Sequence, residues 1–282
     1  MEKKGIKEGI FIYDFEFLQE FFMSYYQPAE IATLFADGSK AKAQMPLLKF
    51  FLFAILGGIF IALGGLLTVV VAGGMPLTME LNPGLVKFMA GALFPVGLIM
   101  VSVAGADLFT SDCAGMVLST MQKKTNVWAL LKVWILAYAF NFVGAQLVAF
   151  FMAHKTGIIA GAPYSDYLHS LAYGKLKYPF ETVFLKGIGA NALVCLGTWM
   201  GYAGKDIIGK ALGIWVPVML FVTLGYEHSI ANMFFIPAAM YTGADISWSQ
   251  FIIDNLIPAT IGNIVGGSVF IGLIYGYIYN KK

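Results

Sequence analysis

The chain contains no arginine; all 18 of its basic residues are lysine. That removes planar, two-pronged guanidinium clamps from any mechanism and leaves point-charge ammoniums to meet anions. Charge of either sign is scarce, at 12% of residues, where an ordinary soluble domain carries roughly 25%. A net charge of +2 says nothing about nucleic acid, and with no basic stripe in the chain none is expected as a partner. Cysteine is limited to Cys113 and Cys195, both in apolar segments where a small soft side chain packs well. No further ligand stands at metal-binding spacing, so packing is the expectation and neither a metal nor a cofactor is read. There is no nucleophile arrangement and no phosphate loop, and the chain is not expected to be an enzyme. Lys3, Lys4 and Lys7 are followed by no apolar core of the right length, which argues against a cleavable signal.

What the chain has is apolar length. Hydrophobic residues make up 59% of it and fall in runs at about 48–72, 88–121, 126–153, 181–201, 208–241 and 252–279. Each is long enough to cross roughly 30 Å as a helix. The expected fold is an all-α polytopic membrane protein with six transmembrane helices at 46–282, preceded by a cytoplasmic amphipathic segment at 1–45. Within that segment, residues 8–35 alternate aromatics with acids, and a helix would place Phe15, Leu18 and Phe22 on one side. Two roles stay open for it: an interfacial helix, or a movable plug or dock for a cytoplasmic partner beneath a pore.

The second and fifth runs are over-long and interrupted, at Ala104-Gly-Ala-Asp-Leu-Phe-Thr-Ser-Asp112 and from Gly225 to Asn232. Interrupted spans in corresponding halves point to a substrate site near the midplane. The halves repeat: Pro95 precedes Asp107 much as Pro217 precedes His228, and Asn141-Phe-Val-Gly144 follows Asp107 much as Asn263-Ile-Val-Gly266 follows His228. Three spans per half is an odd number, so the second half inserts upside down and the architecture is an inverted 3+3 repeat with spans two and five broken. Lys87, Lys155, Lys175 and Lys177 fall on one face, Lys186 lies inside a span, and the remaining lysines fall with the termini. Both termini are therefore expected in the cytoplasm of a multi-pass plasma (inner) membrane protein.

Glu227, His228, Ser229 and Asn232 sit in the middle of the fifth run. An ionisable residue there costs roughly 2.5–3.5 kcal/mol or more, so it is expected to face a cavity or pathway. A helix restarting after each break offers free N–H groups and a positive dipole end to an anion. The Thr110 and Ser111 hydroxyls on one break can face His228 on the other, with room for a small hydrogen-bonding solute. With an ordinary pKa near 6.5, His228 can exchange a proton near physiological pH; the alternative is a histidine satisfied by backbone or by Asn191. Glu227 either ties its own loop by accepting backbone N–H groups or handles protons directly.

The carriers Gly105-Ala-Asp-Leu-Phe-Thr110, Asn191-Ala-Leu-Val-Cys-Leu-Gly-Thr-Trp-Met200, Glu227-His-Ser-Ile-Ala-Asn-Met233 and Gly262-Asn-Ile-Val-Gly-Gly267 together resemble the formate/nitrite transporter family, from Lys42 to the C-terminus. The resemblance implies a symmetric homopentamer of aquaporin-like protomers, each with its own pore for a small monovalent anion or its weak acid. It also implies a cytoplasmic constriction at Leu98, Leu108 and Phe109, an outer one at Phe94 and Phe221, and the polar pair Thr110 and His228 between them. A vestibule lysine matches Lys175, with Lys177 close by and Lys186 an extra cation. Physically, two apolar rings exclude a hydrated anion and admit the neutral acid, and lysines at the mouth concentrate the anion.

The leading reading is passive or proton-coupled transport of formate or nitrite, with hydrosulfide, acetate or lactate as the nearest alternatives. A haem-bearing membrane anchor needs paired intramembrane histidines, whereas His154 and His169 fall at a span end and in a loop. Water or glycerol conduction is disfavoured by the absence of an Asn-Pro-Ala pair and of a guarding arginine.

Overall fold

The computed structural model describes residues 25–279. The expected helical face of Phe15, Leu18 and Phe22 and the terminal lysines Lys3, Lys4, Lys7, Lys281 and Lys282 lie outside the described residues. The first helix, α1 (Pro28–Ala43), opens with a proline in its first turn and a capping box between Gln27 and Glu30. It buries Ile31, Ala32, Phe35, Ala36 and Ser39, one stripe at helical spacing, against Leu118, Cys195, Trp199 and Ile271.

The apolar runs then form α2 (Leu47–Gly73), a short α3 (Pro76–Leu81), α4 (Pro83–Gly105), α5 (Phe109–Met121), α6 (Val127–Lys155), α7 (Tyr164–Leu176), α8 (Phe180–Ala203), α9 (Ile207–Thr223), α10 (Ser229–Tyr241) and α11 (Trp248–Tyr279). Five of these, α2, α4, α6, α8 and α11, are long and apolar enough to cross a membrane. The run at 208–241 is divided between α9 and α10, each shorter than a crossing helix. The run at 88–121 is likewise divided between α4 and α5, so both over-long runs are interrupted where glycine and polar residues gather. Side-chain caps mark several of the helix starts: Asn82 accepts from Leu85 N–H, Asn126 from Ala129 N–H, Asp206 from Ile208 and Gly209 N–H, and Ser247 from Gln250 N–H.

Several helix pairs approach at backbone distance, among them α2 with α6 and α8 with α11. A Cβ on Gly58 of α2 would collide with the Asn141 carbonyl of α6, and one on Gly262 of α11 with the Phe184 carbonyl of α8. Small residues thus set the spacing of α2 on α6 and of α8 on α11, as close packing in lipid requires. The outer surface is apolar, with Leu48, Ile135, Leu185, Leu212 and Tyr277 all exposed, which suits a surface covered by lipid or by neighbouring protomers.

Candidate functional site

Both breaks are built alike. Helix α4 ends at Gly105 with φ +87°, and α9 ends just before Gly225 with φ +69°. This left-handed conformation suits glycine and closes a helix. An extended residue follows in each case, Leu108 (φ −133°, ψ 118°) and His228 (φ −108°, ψ 113°), and a helix of 13 residues restarts behind it. Each gap in the backbone ladder is bridged by one asparagine from a neighbouring helix. Asn141 of α6 accepts from Phe109 N–H at 2.9 Å and donates to the Asp107 carbonyl at 2.9 Å and the Ala54 carbonyl of α2 at 2.6 Å. Asn263 of α11 accepts from Ser229 N–H at 2.8 Å and donates to the Glu227 and Gly187 carbonyls, both at 2.8 Å. Backbone freed by a broken helix at membrane depth is thereby satisfied inside the protein. The clamps match Asp107 with Glu227 and Leu108 with His228, one residue away from the match that sequence spacing suggests between Asp107 and His228.

The breaks meet at Thr110 and His228, whose Oγ1 and Nε2 lie 2.9 Å apart. His228 is the N-cap of α10, its Nδ1 accepting from Ala231 N–H at 3.1 Å. With Nδ1 an acceptor, the ring's proton sits on Nε2 and is donated to Thr110. The backbone half of the satisfied-histidine reading is thus observed, but Asn191 is not its partner. Asn191 instead donates to the Thr110 carbonyl at 3.0 Å and the Asn263 carbonyl at 2.6 Å, joining the first break to the clamp of the second.

Aromatic and aliphatic side chains enclose this pair. The Phe221 ring lies 5.8 Å from the His228 ring and 5.9 Å from Phe94, edge to face in the latter case. Phe94 also stacks on Phe235 at 6.2 Å, a neighbour the sequence did not single out. Leu98, Leu108 and Phe109 are buried, and the Phe109 ring packs on Tyr138 and Trp134 at 4.9 and 6.4 Å. Ser111 does not join Thr110 in facing His228, because its hydroxyl pairs with Thr198 at 2.9 Å.

Of the two roles open to Glu227, tying its loop through backbone N–H groups is not seen among the described residues; its Oε2 takes Lys175 Nζ at 3.0 Å, Asn232 Nδ2 at 2.7 Å and Asn255 Nδ2 at 3.2 Å. The carboxylate therefore ties α7, α10 and α11 together with an ammonium and two amides. Asn255 was missed by sequence reasoning, since an asparagine in an apolar run carries no local signal of the partner it will meet. Lys175 is the lysine that reaches the junction, whereas Lys177 stands over the Tyr178 ring at 5.0 Å. Lys186 Nζ lies 3.8 Å from the centroid of the same ring. His154 packs beside Phe150 and Tyr241, and His169 bonds Thr242 at 3.0 Å, so neither reaches His228. Cys113 and Cys195 are free and buried, and Cys195 Sγ donates to the Thr110 carbonyl.

A cavity of about 640 Å³ leads to the junction. Phe94, Phe221 and His228 form part of its wall, and Lys87, Lys175, Lys177 and Lys186 face it along with Asp166 and Glu227. Four ammoniums against two carboxylates give this vestibule a positive field.

Comparison with known proteins places the chain among membrane transporters. Residues 29–277 match the family described as "Formate/nitrite transporter". A "Probable formate transporter" of Methanothermobacter thermautotrophicus is 41% identical over 273 residues, covering 92% of this chain and 99% of the relative. A solved structure titled "FNT family ion channel" superposes with TM-score 0.80 at 26% identity, covering 90% of this chain and 99% of the other. Another, titled "Pentameric formate channel with formate bound", superposes with TM-score 0.72 at 33% identity, covering 83% and 98%.

Proposed function

The chain belongs to the formate/nitrite transporter family, and we propose that it passes formate or nitrite across the membrane as the neutral acid, through the junction of Thr110 and His228. It is a multi-pass membrane transporter and not an enzyme. One observation carries the reading: a hydrogen-bonded polar pair, its residues 0% and 2% exposed, lies beneath a lysine-lined vestibule and behind the Phe94–Phe221 contact.

Stripping water from a carboxylate costs tens of kcal/mol in an apolar medium, whereas a neutral acid loses only a few hydrogen bonds. Lysines in the vestibule raise the local anion concentration, and the anion takes a proton from solvent there before passing the aromatic contact. His228 serves as a neutral donor. Its Nε2–H is held towards Thr110, and charging the ring would cost the Nδ1 bond that caps α10. The Thr110 hydroxyl, accepting from His228, keeps its own O–H for a passing solute. Phe94 and Phe221 form the outer constriction, and Leu98, Leu108 and Phe109 the inner one. Lys175, Glu227, Asn191, Asn232 and Ser111 support the pathway by holding its walls.

The matched breaks support an inverted 3+3 repeat of six crossings at 46–282, with 1–45 as a cytoplasmic segment. Both termini are assigned to the cytoplasm of the plasma (inner) membrane, and the segment ahead of α1 to gating or docking a cytoplasmic partner. A relative titled as a pentameric channel favours a homopentamer with one pore per protomer. The test is uptake into proteoliposomes as external pH falls, with nitrite, hydrosulfide, acetate and lactate as competitors. Formate uptake should rise with acidity and be displaced best by nitrite. Uptake no faster than in protein-free vesicles would refute the reading.

A further inference from the structure

Each break carries one ion cluster, and the two clusters are not balanced alike. At the second break one ammonium, Lys175, meets one carboxylate, Glu227, and the amides of Asn232 and Asn255 complete its bonding. Asn232 stands five residues after Glu227. The residue standing five after Asp107 is Asp112. At the first break, Lys42 of α1 lies 2.6 Å from Asp107 and 2.7 Å from Asp112, and both carboxyl side chains are 0% exposed. One ammonium thus faces two carboxyl groups, and with both ionised the cluster would hold an uncompensated buried charge. Oδ2 of each lacks a hydrogen-bond partner among the described residues.

Among the described residues no other group beside the cluster supplies the missing positive charge. From α8 it is faced by Tyr202 and Cys195, and from α5 by Cys113. From α6, Trp134 donates to the Asp112 backbone carbonyl, and from α11 Ser268 donates to the Cys113 carbonyl. Lys132 of α6 lies across a void of about 10 Å³ next to Lys42, room for at most a single water and too small for a hydrated metal ion. Lys42 keeps its own proton: burial lowers its pKa, but the charges of Asp107 and Asp112 more than reverse this and leave it above its ordinary value.

We propose that Asp107 and Asp112 form a proton-binding site in which one proton is held between the two carboxyl groups. Carrying the proton, Asp112 does for Asp107 what the Asn232 amide does for Glu227, donating one hydrogen bond to a carboxylate that also pairs with a lysine. Loading is simple: one carboxylate takes one proton from solvent on the α1 face and becomes a carboxylic acid. The loaded cluster is neutral. The empty one sets a negative charge beside the break that holds Phe109 and Thr110, where it opposes an approaching anion. Flux from the α1 face should therefore rise as pH on that face falls. This consequence for flux rests on the transport reading above, whereas the proton site itself does not.

The experiment uses the full-length protein in lipid vesicles, with Asp112→Asn to imitate the loaded state and Asp107→Asn as a second variant should the first fail to assemble. Infrared difference spectra at neutral pH, parent minus variant, should show a carboxylic-acid carbonyl band that shifts in deuterated water and is lost in either variant. Formate flux from the α1 face should depend less steeply on pH in Asp112→Asn, keeping only the part set by protonation of formate itself. A band absent from the parent, or equally strong in both variants, would overturn the proposal, as would an unchanged pH response of flux in Asp112→Asn. If the parent moves no formate but the band behaves as stated, the transport reading fails and the proton site stands.

Discussion

Replacing Asn263 by leucine tests whether the interrupted helices depend on their asparagine clamps. The substitution removes three hydrogen bonds, but they do not count equally. Gly187 lies inside α8, where the helical ladder supplies another donor to its carbonyl. Ser229 N–H and the Glu227 carbonyl belong to the break, where no other bond to either occurs among the described residues, and both residues are buried. Orphaning a buried backbone group costs about 1–3 kcal/mol, so two cost roughly 2–6 kcal/mol. That is a large share of a total stability of about 5–15 kcal/mol. Asn141→Leu orphans Phe109 N–H and the Asp107 carbonyl in the same way, and the same loss is expected. Thermal unfolding of the detergent-solubilised protein, with both variants compared at one temperature, is the assay. A loss below about 1 kcal/mol in either variant would refute the account, because a break that tolerates unpaired backbone would have to be open to water.

Three further outcomes follow from the charged and polar groups of the vestibule and the junction. Lys175→Gln leaves the Glu227 carboxylate without its ammonium, and because that lysine is slightly exposed the cost should fall at or below the lower end of the roughly 3–5 kcal/mol for breaking a buried pair; adding Glu227→Gln should recover most of it. Lys186→Gln should instead raise the KM for formate severalfold at low ionic strength, an effect that shrinks with added salt, and kinetics showing the two lysines to be interchangeable would contradict this division of labour. His228→Asn keeps a side-chain acceptor for Ala231 N–H but loses the bond to Thr110, so flux should fall about fivefold for roughly 1 kcal/mol. The shape of its pH profile should stay that of the parent, and a displaced profile would show that His228 transfers the proton after all.

Much of this molecule was legible before folding, for reasons that lie in particular residues. Helices α2, α6, α8 and α11 fall within a few residues of the apolar runs, because a segment at membrane depth has to satisfy its own backbone and a helix does so locally. The breaks were legible because Gly105 and Gly225 stand where polar residues interrupt over-long runs. The match of Asp107 to Glu227 was not, since under it the spacings to the flanking proline and asparagine differ by two residues on either side of the break, and only the hydrogen bonds of Asn141 and Asn263 fix the register. Ser111 and Thr110 are adjacent in sequence yet bond different helices, and no periodicity decides which of two hydroxyls turns towards a histidine 118 positions away.

The sequence alone determined that this is a helical membrane protein with two interrupted spans, an arginine-free charge set and one histidine at depth, because composition and hydropathy act along the chain. Only the tertiary structure decided how the charges pair. Lys42 reads in the sequence as one more lysine of the terminal face, and Lys175 as a free cation at a mouth; folding spends both on buried carboxylates. The outcome turns on distances between elements 50 or more residues apart, which no local property of the chain encodes.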